Sequence, residues 1–176
     1  SATHDSCSTD RGEVTDDTIQ LYSRLALGGA GLIISGFAYV HPTGQAFLHQ
    51  AAIDSDDRIA GLKRLTEEVH RYDAKIALQI AHGGLNSRAF RKRGGIPWAP
   101  SSEDDKAAKE SHRAMTAAEI EAIVDAFGLA AKRAQEAQFD AIQLHAAHSY
   151  LFSQFLSPCS NKRNDRWGGG LENRMQ

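Results

Sequence analysis

Short apolar runs that alternate with amphipathic helices predict an α/β fold built on a parallel sheet. Two further observations narrow the class. The strand-like runs are continuous in apolar residues, as in Leu32-Ile33-Ile34, which suits strands covered on both faces. Polar residues also gather where those runs end: Gln79 and His82 after one, His145 and His148 after the next. Such positions face the catalytic rim of a (β/α)8 barrel. A doubly wound open sheet shows the same alternation, but a dinucleotide-binding one carries GxGxxG after its first strand, and the chain has none. The expected fold is therefore a (β/α)8 TIM barrel. A complete barrel takes about 250 residues, so the chain supplies a partial barrel, roughly the first four βα units. Residues 1–176 are expected to form a single domain, the N-terminal half of that barrel.

Each element has a local cause. Residues 15–27 read as a helix capped by Thr15, with Asp16 and Asp17 in the first turn and Ile19, Tyr22, Leu25 and Ala26 on one face. Gly28 and Gly29 stop it. Residues 31–35 read as the first apolar strand, and residues 54–72 as a second helix with Ile59, Leu62, Leu65 and Val69 at helical spacing. Residues 75–81 form the next strand. A polar loop rich in Gly, Arg, Ser and Pro occupies residues 82–114. Thr116 and Glu119 have the spacing of a capping box and open a third helix to about residue 138. Residues 139–144 read as a third strand.

Composition sets the outer limits. The hydrophobic share of 41% and charged share of 24% are those of an ordinary globular chain and exclude a disordered or collagen-like one. Lys and Arg number 20 against 22 Asp and Glu, a net charge of −2 that leaves no electrostatic footprint for nucleic acid or an anionic membrane. The most apolar stretch, residues 30–40, is well short of the ~20 residues that span a bilayer. No secretory signal is visible. Cys7 and Cys159 are too few for a disulfide framework, so a reducing cytoplasm is the expected compartment. The chain starts at Ser1 and ends in what reads as a helix just beginning, as expected for a segment of a longer protein.

The strongest chemical feature is His145-Ala-Ala-His148-Ser-Tyr150, directly after an apolar strand. Two imidazoles can donate hydrogen bonds to a carbonyl or phenolate oxygen, and a phenol can deliver a proton to carbon. Together they suit polarisation of an electron-poor double bond with proton delivery at one end. A solvated loop that happens to hold histidines is the bland alternative. His82 with His145 and His148 could instead give zinc three nitrogen ligands, as in a metal-dependent TIM-barrel hydrolase, although HExxH is lacking and no neighbouring carboxylate is placed to orient the rings. Gln79 can donate and accept at once, matching a ring edge with adjacent C=O and N–H groups such as that of a flavin, or it can be satisfied by neighbouring backbone. Arg88, Arg91, Lys92 and Arg93 read as a solvated face, with an anion site as the alternative.

The run from His145 to Arg174, HAAHSYLFSQFLSPCSNKRNDRWGGGLENR, resembles the signature of the Old Yellow Enzyme family of flavin-dependent ene-reductases. The segments at residues 1–4, 31–37 and 77–84 resemble that family's first, second and third barrel strands, in the right order. The resemblance implies a (β/α)8 barrel that holds FMN at the C-terminal strand ends, with NADH or NADPH as reductant and a small electron-poor alkene as substrate. It implies cofactor contacts at Ala2, Thr3, His4, Gly36, Phe37 and Gln79. It also implies that His145 and His148 hold the substrate's activating oxygen and that Tyr150 donates a proton to the α-carbon. No metal ion is implied. His4 stands where many members carry Thr or Cys, a position tied to the flavin's potential. The family's later strands, with a flavin-contacting arginine and the phosphate loops, are not in the sequence, and any iron–sulfur cluster of the larger members would lie beyond Gln176. Half a barrel leaves unpaired strand edges. The isolated chain is therefore expected to fold poorly, to aggregate, or to self-associate as a homo-oligomer that closes the sheet. A non-catalytic truncated half-barrel is the remaining alternative.

Overall fold

The computed structural model describes residues 3, 5–102 and 112–176. Its centre is a parallel sheet. Strand β1 (Leu32–Ile34) and strand β2 (Ala38–Tyr39) both lie along β3 (Lys75–Ala81), and β6 (Ala141–Leu144) pairs with the other side of β3. β1 and β2 are two parts of one line. Ile34 faces Ala77 and Ala38 faces Ile80, so three residues, 35–37, stand opposite only two on β3. That extra residue is a bulge, which re-aims the side chains that follow it. Thr3 donates its N–H to the Ile34 carbonyl at 2.8 Å, placing the chain's start beside β1.

Helices cover one face of this sheet. Helix α1 (Asp16–Leu27) is capped by Thr15, whose hydroxyl accepts from Thr18 while the Thr18 side chain accepts from Thr15. Helix α2 (Ile59–His70) follows a single 3-10 turn, and α4 (Ala117–Glu136) opens with the reciprocal Thr116–Glu119 box. Ile76, Leu78 and Ile80 point from β3 into this layer, where they meet Tyr22, Leu62, Leu65 and Val69. Ala130, Ala134 and Ala137 are fully buried there, small enough to let α4 come close. Asp140 ties the start of β3 to β6: it accepts from the Ile76 N–H at 2.9 Å and bonds His70 and Lys75. Burial alone would raise its carboxyl, but those partners outweigh burial and hold it at about 2.

The helix and strand types follow the sequence reading, with three local differences. The expected strand at residues 31–35 is shorter and continues, after the bulge, as β2. The third strand begins at Ala141, because Phe139 turns back into the helix layer. The loop at residues 82–114 is not free of structure: it holds the short helix α3 (Arg88–Lys92) and, among the described residues, the parallel pair β4 (Trp98–Ala99) and β5 (Arg113–Ala114). Helix α5 (Leu151–Leu156) and a turn of helix, α6 (Leu171–Arg174), complete the chain. Every residue of β6 is exposed, including Ile142 and Leu144, as expected for a barrel strand whose other neighbour is not in the sequence. Among the described residues no helix is long and apolar enough to cross a membrane.

Candidate active site

A cavity of about 770 Å³ opens at the C-terminal ends of the parallel strands, lined by Thr3, Phe37, Phe47, Gln79, Gln143, His145, His148 and Tyr150 among others. That is within the ordinary range for cofactor and ligand sites. The bulge supplies Phe37. Ser35 Oγ accepts the Gln79 N–H at 3.0 Å and donates to the Gly36 carbonyl at 2.8 Å, which fixes the bulge against β3. Gly36 donates its N–H to Tyr22 Oη at 2.7 Å, and Tyr22 donates in turn to the buried carboxylate of Asp5. Burial first, and then the Asp5 charge, push the Tyr22 phenol far up, so it remains a donor. A Cβ at position 36 would collide with Asp5, so this site needs glycine. Behind Phe37, Gln50 Nε2 donates to the Phe37 carbonyl at 3.1 Å.

The Phe37 ring lies edge-on to Phe47 and His145, with centroids 5.3 and 4.9 Å away, and 5.2 Å from Tyr150. Gln79 Nε2 donates to Gln143 Oε1, its register partner on β6. Both carboxamides line the cavity.

His145, two residues beyond Gln143, and His148 line the same cavity. The Ala147 N–H donates to His145 Nδ1 at 3.3 Å, so in the neutral ring the proton sits on Nε2, 3.3 Å from His148 Nδ1. Burial, followed by the nearby His148, lowers the pKa of His145, which keeps it neutral near pH 7. The same order leaves His148 Nε2 as the outermost N–H. Tyr150 packs on His145 at 4.8 Å, and burial raises its phenol, Arg88 opposing weakly, so it keeps its proton at neutral pH. His148 and Ser149 both adopt φ of +54°, the left-handed region that non-glycine residues avoid.

Most of the expected site residues therefore meet in one cavity: Thr3, Phe37, Gln79, His145, His148 and Tyr150. Gly36 does not line it but lies behind Phe37 with its N–H turned to Tyr22. Ala2 and His4 lie outside the described residues. The zinc alternative loses its third ligand. His82 is 1% exposed and both its ring nitrogens are engaged, Nδ1 by the Gly84 N–H at 3.1 Å and Nε2 by Thr43 Oγ1 at 3.0 Å. No group of three His, Cys, Asp or Glu side chains stands close enough to hold a metal ion among the described residues. Arg93 is not simply solvated: it donates to Gln45 and to the Asp10 carbonyl. Sequence reasoning missed Gln143 and Phe47. Pairing the two strands with Gln79 level with Gln143 would have found the first.

Comparison with known proteins gives the family and the fold. The sequence pattern of the NADH:flavin oxidoreductase / NADH oxidase family matches residues 1–176. An NADPH dehydrogenase of Clostridium acetobutylicum is 41% identical over 173 residues, covering 96% of this chain and 49% of that protein. The Old Yellow Enzyme from Pichia sp. AKU4542 superposes with a TM-score of 0.89 at 30% identity, over 98% of this chain and 48% of its own. Morphinone reductase gives 0.88 at 32% identity, over 98% of this chain and 50% of its own. The chain thus spans about half the length of these relatives. It belongs to the NADH:flavin oxidoreductase / NADH oxidase family, the FMN-dependent Old Yellow Enzyme group, and has the fold of the N-terminal half of that family's TIM barrel.

Proposed function

We propose that the protein carrying this chain is an FMN-dependent ene-reductase, reduced by NADH or NADPH and acting on small electron-poor alkenes. The observation that carries the reading is the convergence of two imidazoles and a phenol that keeps its proton on a single cavity, which a pair of carboxamides also lines. The residues fit a flavin: the Gln79–Gln143 wall offers donor and acceptor together, as the pyrimidine edge of an isoalloxazine requires. Thr3, Phe37 and Gln79 are the described residues that would hold the ring. When bound, FMN accepts hydride from the nicotinamide and supplies it to carbon.

The chain's own groups account for the rest of the chemistry. His145 Nε2 donates to His148 Nδ1, which leaves His148 Nε2–H to donate outward, and a carbonyl oxygen held by that N–H is polarised, which makes the alkene's β-carbon more electrophilic. Tyr150 keeps a proton because burial raises its phenol, and it stands beside His145, which supports its reading as the donor to the α-carbon. Phe37 and Phe47 close one side of the cavity with apolar surface and limit the water near these groups.

The test is native mass spectrometry of the protein as its gene encodes it, followed by NAD(P)H oxidation with cyclohexenone as acceptor. One FMN per chain and enone-dependent turnover are expected. A protein that carries no flavin, or a flavoprotein that leaves cyclohexenone untouched, would overturn the reading.

A further inference from the structure

His148 and Ser149 present two consecutive non-glycine residues in the left-handed region, each at φ of +54°. Such backbone is strained and persists only where the surroundings over-determine it. Among the side chains around this turn, one makes bonds to both loops. Gln154 is 2% exposed, on the buried face of α5. Its Oε1 accepts the Leu85 N–H at 3.1 Å, and its Nε2 donates to the Gly83 carbonyl at 3.2 Å and to the Ser149 carbonyl at 2.5 Å. A single amide therefore joins the loop after β3 to the turn that carries His148 and leads into Tyr150. Asn86, from the same loop, adds a second donor to the Ser149 carbonyl at 2.9 Å. The packing is close: Gly84 sits at φ of +60°, and a Cβ there would run into the Gln154 carboxamide.

We infer that Gln154 is a positioning residue for His148 and Tyr150: its amide clamps the Ser149 carbonyl and holds the left-handed turn that points both side chains into the cavity. The inference rests on the proposed reading of that cavity as an FMN and enone site. Gln154 does not itself line the cavity, so it acts only through the turn. Glutamate in its place keeps the shape and the acceptor for Leu85 but loses both N–H donors. The geometry also predicts a rescue. Glycine adopts φ near +54° at little cost, so Ser149→Gly lowers the need for the clamp.

The experiment uses the full-length, FMN-loaded protein and reads the Kd of 4-hydroxybenzaldehyde from the change in flavin absorbance, with FMN content and Tm measured alongside. Gln154→Ala and Gln154→Glu are expected to weaken phenol binding about tenfold or more while FMN content stays near one per chain. Ser149→Gly added to either is expected to recover most of that loss. Asn86→Ala, on the exposed side of the same carbonyl, should weaken binding severalfold in the same direction and covers the case in which Gln154 variants do not fold. Phenol affinity within twofold of the unsubstituted protein in all three single variants would overturn the clamp. So would a loss that Ser149→Gly leaves unchanged, because a general core role would not respond to relief of one φ angle. An unsubstituted protein that binds neither FMN nor the phenol would instead overturn the reading of the cavity.

Discussion

Two strands of this sheet end in histidine, and the two ends differ in almost every physical respect. β3 runs into His82, which is buried, fully hydrogen-bonded and turned away from the cavity. β6 runs into His145 and His148, which line it. The register explains the contrast. Gln79 lies beside Gln143 and Ile80 beside Leu144, so one step on Ala81 is level with His145 and His82 is one residue out of phase. Because side chains alternate along a strand, that single residue sends the two rings to opposite faces. The same residue type at two neighbouring strand ends thus yields a structural hydrogen-bond centre in one case and a candidate catalytic group in the other.

The largest expected effect breaks the catalytic end. Tyr150→Phe should slow enone reduction by roughly 100- to 10,000-fold, the usual contribution of a positioned general acid, while flavin reduction by NAD(P)H in rapid-mixing experiments is retained. Unchanged enone turnover would remove Tyr150 from the proton step. The next effect separates stability from function. His82→Ala orphans the buried Gly84 N–H and leaves the Thr43 hydroxyl with His41 as its remaining side-chain partner, and should cost about 2–3 kcal/mol in urea unfolding. His145→Ala, facing an open cavity that water can refill, should cost only about 1 kcal/mol. Equal losses would show that the two ends are not distinguished in this way. A smaller effect falls on binding alone: His148→Ala should weaken a phenolic ligand about tenfold, or ~1.4 kcal/mol, with the unfolding midpoint held.

The sequence exposed these two ends unequally. The helices were legible because Thr15 and Thr116 announce their starts and the apolar residues keep a 3.6-residue period. His145, His148 and Tyr150 were legible because they sit within six residues of one another. The fate of His82 was not, since the face a strand residue takes depends on where its neighbour pairs, and that register is a tertiary property. The bulge at residues 35–37 was hidden for the same reason: it exists only as a mismatch between two strands. Gln143 and Gln154 carry no charge and fit a helix or strand without strain, so nothing local marks them, yet one completes the cavity wall and the other bridges two loops.

The smallest effect, per unit of pH, sharpens the comparison in solution. His82 donates Nε2–H to Thr43 and accepts from Gly84 at Nδ1, so a second ring proton has no acceptor, and burial, aided by nearby His41, pulls its pKa down to about 3. In the unfolded chain an imidazole takes up its proton near 6.5. The unfolded state therefore binds more protons between those values, and stability from this group is complete above pH 6.5 and is lost progressively as the pH falls toward 3. The slope is at most about 1.4 kcal/mol per pH unit. Glu119 and Asp140, both held at about 2, lose their contributions only below the ordinary carboxylate range, so the interval from pH 6.5 to about 4.5 belongs to the histidines. His41 and His145 are also lowered and add to the slope, which makes the difference between variants the informative quantity. His82→Gln, which cannot titrate, should flatten the fall in urea-unfolding free energy across that interval. His145→Gln should flatten it less, because the cavity leaves that ring less completely desolvated. If the two variants keep the slope of the unsubstituted protein, His82 is not held neutral by its buried hydrogen bonds.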